Sequence, residues 1–240
     1  MQYRGLYKIL HHLVSVFKMH AAEPITERAL AKVAEQTLSP ANGGSFASWF
    51  VVPRSPLEIW HDEPTFLLCE LEIYLLALLA AVHAYRHGGR YAWLWWTTIF
   101  HGLTTELVSY WYEDVDNFWH AQSSLMFFGL REPLHIICLY PGYIYPVVVA
   151  VSRSNILENV RPFAAGLGEV LIDIPYDIMG IKLLWWTWHD TDTNIADRSY
   201  HVPWTSYFFH TCFGCTFVFL LQHFLHLYQK VVGFQMDFHN

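Results

Sequence analysis

The amino-acid sequence predicts an all-α integral membrane protein, a bundle of about five transmembrane helices, or six if an N-terminal segment also inserts. Composition points to this class, because 54% of the 240 residues are hydrophobic and only 15% are charged, whereas soluble domains carry roughly 25% charged residues. Five apolar segments are each long enough to cross a hydrocarbon core of about 30 Å. The net charge of −7 leaves no basic patch and no case for nucleic-acid binding.

The five predicted spans follow one another in a single transmembrane domain, residues 63–240. Pro133 and Pro162 open two of them, at positions where the missing N–H costs nothing. The 11 Trp and 14 Tyr residues fit the aromatic belts of membrane–water interfaces. The predicted spans cover residues 64–85, 91–112, 133–152, 162–186 and 205–228.

The first 62 residues form a separate interfacial segment in this prediction. Residues 3–20 carry Arg4, Lys8 and Lys18 and no acid, with apolar residues at helical spacing. This pattern is typical of an amphipathic helix that lies on an anionic surface or docks on a partner. A mitochondrial targeting segment is the alternative interpretation, and residues 39–57 are predicted to be an irregular linker.

The charges of the loops predict the orientation of the bundle. The first loop carries Arg86 and Arg90, and the third carries Arg153 and Arg161, whereas the second is rich in acids. By the positive-inside rule, the first and third loops face the cytoplasm or its equivalent. The sequence leaves both an endomembrane and the mitochondrial inner membrane open as locations.

Three acids inside the fourth span are the strongest candidates for function. Glu169, Asp173 and Asp177 are four residues apart, so all three project from one face of a helix. Ionisable side chains at membrane depth are costly and face a bundle interior or a watery cavity, where they commonly serve function. The alternative is that they hydrogen-bond to neighbouring helices without any chemistry. We favour a catalytic role.

Further candidates lie in the second span and beside the third and fourth. Glu106 lies on a polar stripe of the second span, which we expect to face inward and to contribute to catalysis. The loop after the fourth span is rich in aromatic residues and acids, and we expect it to form one wall of a pocket. His101 and His210 are interpreted as core histidines. The candidate substrate-binding residues are His135, Trp186, Trp188, His189, Tyr200 and Trp204.

No metal site is predicted, although the chain has 15 histidines. A membrane di-iron oxygenase needs several clustered histidine motifs, which this sequence lacks. A membrane zinc hydrolase of the ceramidase and adiponectin-receptor type is a closer alternative, because Thr97-x3-His101 resembles its Ser-x3-His motif and Asp173 is available as the carboxylate. Its closing His-x3-His is replaced here by His223-x2-His226. The four cysteines are interpreted as packing residues.

Residues 100–213 resemble the multi-pass membrane carotenoid hydratases, which add water to terminal double bonds of long polyenes. The resemblance rests on five features in chain order. They are an acid in the second span, an aromatic loop after it, a D-x3-D pattern, a W-x-W pattern and a Tyr-x-Val-Pro element. An isoleucine follows the second aspartate where that family has proline. The residues concerned are Glu106, the loop 110–119, Asp173, Asp177, Trp186, Trp188, Tyr200, Val202 and Pro203.

This resemblance implies acid-catalysed hydration or isomerisation of a long isoprenoid, without a metal or organic cofactor. Asp173 and Asp177 would divide the work between a protonated donor and an anionic partner, because burial and a neighbouring like charge keep one carboxyl protonated. Glu106 or Glu169 would orient the water. Tryptophan rings of the pocket would stabilise the carbocation.

The sequence therefore predicts a membrane enzyme or binding protein with an acid-lined cavity for a carotenoid-like isoprenoid or another membrane lipid, and the resemblance implies that the enzyme would be a lyase. Two alternatives remain open beside the zinc-dependent lipid hydrolase. In one, the chain is a non-catalytic accessory subunit that binds other membrane subunits. In the other, the stepped carboxylates of the fourth span form a proton or ion pathway.

Overall fold

The computed structural model describes residues 46–112, 118–188 and 197–232. Most of them are helical, and a short 3-10 turn, Glu158–Val160, separates the third and fourth long helices. The predicted amphipathic segment 3–20 and His189 lie outside the described residues. The helices are α1 Phe46–Phe50, α2 Pro56–Asp62, α3 Pro64–His87, α4 Gly89–Trp111, α5 Leu134–Arg153, α6 Arg161–Leu183 and α7 Trp204–Val232.

The five long helices coincide with the five predicted spans to within a few residues. By length and composition, three of them could cross a membrane: Pro64–His87, Leu134–Arg153 and Trp204–Leu225. The helices α4 and α6 have similar lengths but lower mean hydropathy, because α4 is rich in Trp and Thr and α6 carries charged residues. The predominantly helical fold is confirmed, and a bundle of five spans stays a prediction.

Short strands form within the connections between the helices and pair with one another. The sequence did not predict them. The first, β1 (Val51–Pro53), pairs with β3 (Leu125–Phe127), which pairs with β4 (Glu132–Pro133). Residues 46–53 of the predicted irregular linker are therefore helix and strand. The other pairs are β2 (Phe118–His120) with β5 (Trp186–Trp188) and β6 (Arg198–Ser199) with β7 (Val202–Pro203).

All of these strands lie at the same end of the bundle, because they connect to the starts of α3, α5 and α7 and to the ends of α4 and α6. We call this end the ribbon end. At the opposite end, Arg153 donates to the Tyr91 hydroxyl at 3.3 Å. This bond joins the third loop to the first, as the charge pattern predicts. The membrane side that each end faces remains a prediction.

Glu70 attaches the ribbon end to α3. Its carboxylate accepts hydrogen bonds from the Ser124 amide at 2.9 Å, the Tyr74 hydroxyl at 2.6 Å and the Ser123 hydroxyl. The side chain is fully buried, and its Oε1 atom accepts all of these bonds. These bonds give Glu70 a structural role.

The bundle has apolar outer faces and polar groups inside. On α6, the exposed positions include Phe163, Leu167 and Leu171, one turn apart. The other long helices expose similar rows, for example Leu71, Leu75 and Leu78 on α3. Such large apolar surfaces are rare on soluble monomers, whereas they suit contact with lipid.

Candidate active site

The three acids of α6 face the interior of the bundle. Glu169, Asp173 and Asp177 are 4%, 2% and 0% exposed, whereas Phe163 and Leu167 face outward. This arrangement follows from the four-residue spacing, since successive acids drift only about 40° around the helix. The expectation that they share one face is confirmed.

α7 places a histidine against this row of acids. The Nδ1 atom of His210 lies 3.7 Å from Glu169 Oε1, and its Nε2 atom lies 3.4 Å from Asp173 Oδ2. One turn earlier on α7, the Ser206 hydroxyl donates to Asp177 Oδ2 at 2.9 Å. We call these five residues the acidic cluster. It brings together three carboxyl groups, one imidazole and one hydroxyl.

Two glycines allow α6 and α7 to approach closely enough for these contacts. A Cβ atom on Gly214 would overlap the Glu169 carboxylate and lie 3.1 Å from the Cα atom of Gly166. A Cβ atom on Gly166 would in turn overlap the Thr211 carbonyl oxygen. The spacing of the two helices at the acidic cluster therefore depends on the absence of side chains at these positions.

A second buried group lies between α4, α5 and the strands. The Tyr140 hydroxyl donates to Glu106 Oε1 at 2.7 Å, and His120 Nε2 lies 3.6 Å from Glu106 Oε2. The Tyr140 ring covers Gly102, where a Cβ atom would overlap it. The Glu106 and His120 side chains are only 11% and 7% exposed. α4, α5 and β2 thus each contribute one polar group.

Glu132 and His135 complete this second group, the histidine–glutamate cluster: Glu106, His120, Glu132, His135 and Tyr140. His135 is fully buried, and neither of its ring nitrogens has a hydrogen-bond partner. Its ring lies 6.3 Å from that of His120. Burial, together with the Glu106 carboxylate, raises the pKa of Glu132 from 4.5 to about 10, against the opposing charge of Arg131. Glu132 therefore holds its proton at neutral pH.

Both clusters belong to a region that is matched to a known family. The family model described as "Domain of unknown function (DUF7802)" matches residues 6–232. The chain belongs to the DUF7802 family. A search of curated proteins and a search of solved structures found no match. The family match includes every residue of the two clusters and does not specify a reaction.

Several predicted site residues of this DUF7802 chain lie in or beside the clusters. The four predicted catalytic acids and His135 are cluster members. Trp186 is 9% exposed and lies between the histidine–glutamate cluster and α6, since its ring is 6.1 Å from His120 and 4.9 Å from Tyr176 on α6. Tyr200 and Trp204, in contrast, are 72% and 56% exposed. Trp188 pairs with Phe118 in the β2–β5 ribbon.

The sequence alone did not indicate a catalytic or binding role for Glu132, Tyr140, Ser206, His120 or His210. Our interpretation of His210 as a core histidine did not anticipate its contacts with two carboxyl groups. A pattern does exist, since Ser206 and His210 are one turn apart and so share a face of α7. The pairing of that face with the acids of α6 is a long-range contact that the sequence does not reveal.

A cleft of about 670 Å³ lies at the other end of α6 and α7. Its lining residues include Pro162, Phe163, Cys215 and Phe219, and none of the acids of the acidic cluster. In the acidic cluster, Asp173, Asp177 and His210 each offer a ligand atom, and these atoms lie within 4.8 Å of one another. The described residues therefore include one compact set of oxygen and nitrogen donors for a cation.

Proposed function

We propose that the chain is a multi-pass membrane enzyme that adds water to a terminal double bond of a long, carotenoid-like isoprenoid. The acidic cluster and the histidine–glutamate cluster would together form its site. This proposal rests mainly on one observation: carboxyl and imidazole groups from four helices and a ribbon are buried inside the bundle. The outer faces of the same bundle are apolar. A substrate that dissolves in hydrocarbon would reach such a bundle from the bilayer.

The chemistry requires a carboxylic acid that keeps its proton near neutral pH, because hydration of an isolated alkene starts with proton transfer to carbon. Glu132 meets this requirement through its burial and the neighbouring Glu106 carboxylate. Its proton would add to the terminal carbon of the double bond and leave a tertiary carbocation on the adjacent carbon. The sequence favoured Asp173 and Asp177 for this protonation step. With Glu132 as the acid, these two aspartates can instead bind and activate the water molecule.

The acidic cluster is suited to the second half of the reaction. His210 lies between Glu169 and Asp173, so its positive charge would keep the Asp173 carboxylate ionised and able to accept a proton. The oxygen of a water molecule would bond to the carbocation as one of its protons passes to the Asp173 carboxylate. That proton returns through solvent to Glu132, and the net change is one water added across the double bond.

Trp186 is the aromatic residue best placed to stabilise the carbocation. It is buried, and it lies between the His120 ring and the Tyr176 ring of α6. A cation over a desolvated tryptophan face gains about 2 kcal/mol. Tyr200 and Trp204, both exposed, are better placed to contact lipid or another subunit.

Hydrolysis of a membrane lipid is a second candidate, favoured by the donor set of Asp173, Asp177 and His210. In that reaction a bound cation would polarise an ester or amide carbonyl, and Glu132 would protonate the leaving group. The acid and the water-activating group would occupy the same positions. The two candidates differ in substrate and in the need for a metal.

Oxygen-labelled water tests both candidates in one experiment. The full chain, in vesicles, is incubated in H₂¹⁸O with an acyclic polyene and with ester and amide lipids, and the products are analysed by mass spectrometry. We expect the polyene to gain one labelled water with the wild type and with Glu58→Gln, and to gain none with Glu132→Gln. Label in a released fatty acid would replace the hydratase by the hydrolase, and no label in any product would refute both.

The non-catalytic alternatives predict different results for the same preparation. An accessory subunit would leave gentle detergent as part of a larger particle and give no labelled product. A proton pathway would conduct protons across vesicles, with a flux that Asp177→Asn abolishes. The first result would indicate a role in assembly, and the second would indicate proton transport, in place of catalysis.

A further inference from the structure

The acidic cluster contains the geometry of a cation site. Asp173 and Asp177 lie one turn apart on α6, and His210 faces them from α7, with one ligand atom from each inside a 4.8 Å limit. Carboxylate oxygens combined with an imidazole nitrogen are common ligands of zinc, manganese and iron. Two helices held together by Gly166 and Gly214 fix the positions of these donors.

One carboxylate oxygen in this site has no N–H or hydroxyl donor. Asp177 is 0% exposed, and its Oδ2 atom accepts the hydrogen bond from Ser206. Its Oδ1 atom is buried and receives no hydrogen bond from an N–H or hydroxyl group, and the Asp177 carboxyl lies within hydrogen-bond reach of the Asp173 carboxyl, with which it must share a proton or a cation. A buried carboxylate oxygen without such a donor is costly, and a bound cation would remove this cost.

His210 is oriented as a metal-ligating histidine is. Its Nε2 atom faces Asp173, while its Nδ1 atom faces the Glu169 carboxylate at 3.7 Å. Ligating histidines generally present their other ring nitrogen to a carboxylate or carbonyl, which fixes the ring orientation and increases its basicity. Glu169 would therefore support the ligand rather than bind the cation.

The charges of the cluster also favour a cation. Three carboxyl groups lie around a single basic side chain, His210. Within the described ranges, His210 is the residue that forms ion pairs with Glu169 and Asp173. His210 is 23% exposed at its side chain, so the site is not completely closed. A divalent ion would balance the charge of these carboxyl groups when they are deprotonated.

We infer that Asp173, Asp177 and His210 bind one divalent transition-metal ion, with Glu169 hydrogen-bonded to His210. This departs from the cofactor-free site that the sequence predicts. A catalytic role for the ion rests on the proposed function. In that reaction, a cation at this position would activate the water molecule that we assign to the acidic cluster. The binding itself can be tested without any substrate.

Cobalt(II) is the probe, because its visible absorption reports nitrogen and oxygen ligands directly. The full chain, purified in detergent with its affinity tag removed, is treated with a chelator and titrated with Co²⁺, and then with Zn²⁺ in competition. We expect one equivalent to bind to the wild type and none to His210→Gln or Asp177→Asn. Glu169→Gln should weaken binding about 10–100-fold. Size-exclusion chromatography and circular dichroism identify any variant that fails to fold.

His83→Gln is the matched control, because His83 and His87 are a second histidine pair at ligand spacing, with rings 4.0 Å apart. We expect this variant to bind Co²⁺ as the wild type does. Loss of binding in His83→Gln alone, or no stoichiometric binding by the wild type, would overturn the inference. If Glu169→Gln fails to fold, wild-type affinity in a folded Asp177→Asn would overturn it equally.

The outcomes also separate the ion from the proposed function. Stoichiometric Co²⁺ binding without any labelled product supports the metal site and refutes the enzyme. Undiminished hydration by the chelator-treated protein supports the enzyme and refutes a catalytic role of the ion, and the absence of stoichiometric Co²⁺ binding in the same preparation overturns the metal site itself.

Discussion

Replacement of Glu132 by glutamine is expected to remove a pH dependence from the stability of the fold. Burial and the Glu106 carboxylate raise the pKa of Glu132 to about 10 in the folded chain, from an ordinary value of 4.5. The folded state therefore keeps a proton that the unfolded state loses once the pH exceeds 4.5. The stability from this group is complete at lower pH and decreases as the pH rises through the interval between the two pKa values.

The size of the effect follows from this difference of one bound proton. Within the interval, the free energy of unfolding falls by about 1.4 kcal/mol per pH unit. From about pH 6 to about pH 8, the wild type should lose about 2.7 kcal/mol through Glu132. Glu132→Gln has the same shape and no titrating proton, so this part of the slope should disappear.

Denaturant unfolding in detergent micelles, followed by tryptophan fluorescence at several pH values, measures the slope. Glu58→Gln removes an exposed acid from α2 and should retain the wild-type slope. The same slope in Glu132→Gln and the wild type would refute the reasoning that Glu132 is protonated at neutral pH. The acid assigned to the hydration step would then have to be another residue.

Three further substitutions test the packing of the clusters. Gly214→Ala should lower the free energy of unfolding by about 1–3 kcal/mol, since the methyl group overlaps a carboxylate of α6; Gly89→Ala, with nothing within 4 Å, is the control in thermal unfolding, and equal stability would contradict the close approach. Ser206→Ala should cost about 1–3 kcal/mol in denaturant unfolding, because buried Asp177 loses its donor at 2.9 Å; a cost below about 0.5 kcal/mol would argue against that bond. Tyr140→Phe should shift the infrared carboxylate band of its 2.7 Å partner, and an unchanged band would show that the bond is absent.

The positions of the long helices could be predicted because hydropathy and helical spacing are local properties of the sequence. The four-residue spacing of Glu169, Asp173 and Asp177 placed their side chains on one face, and their burial follows directly from it. The same reasoning placed Glu106 on an inward stripe, where it contacts Tyr140 and His120. These elements needed no knowledge of the neighbouring helices.

The strands and the histidine contacts could not be predicted in this way. Strands of two or three residues, such as β4, form because a distant segment offers a partner, and Met126 and Pro133 face each other only in the folded chain. His210 became a candidate only when α7 was found against α6. Tyr200 and Trp204 were assigned to a pocket from the composition of their segment and, for Tyr200, from the family resemblance, whereas the exposure of both side chains depends on how that segment packs in the folded chain.

In the membrane-spanning bundle that we propose, the arrangement of α6 has a consequence for insertion. This helix carries three acids on one side and phenylalanine and leucine on the other, and it is not among the helices apolar enough to cross a bilayer by composition. Inserted alone, it would expose its carboxyl groups to hydrocarbon. α7 covers that side through the contacts at Gly166 and Gly214. During biogenesis, we therefore expect α6 to remain in the insertion machinery until α7 has been synthesised. The two helices would then partition into the bilayer together as a helical hairpin.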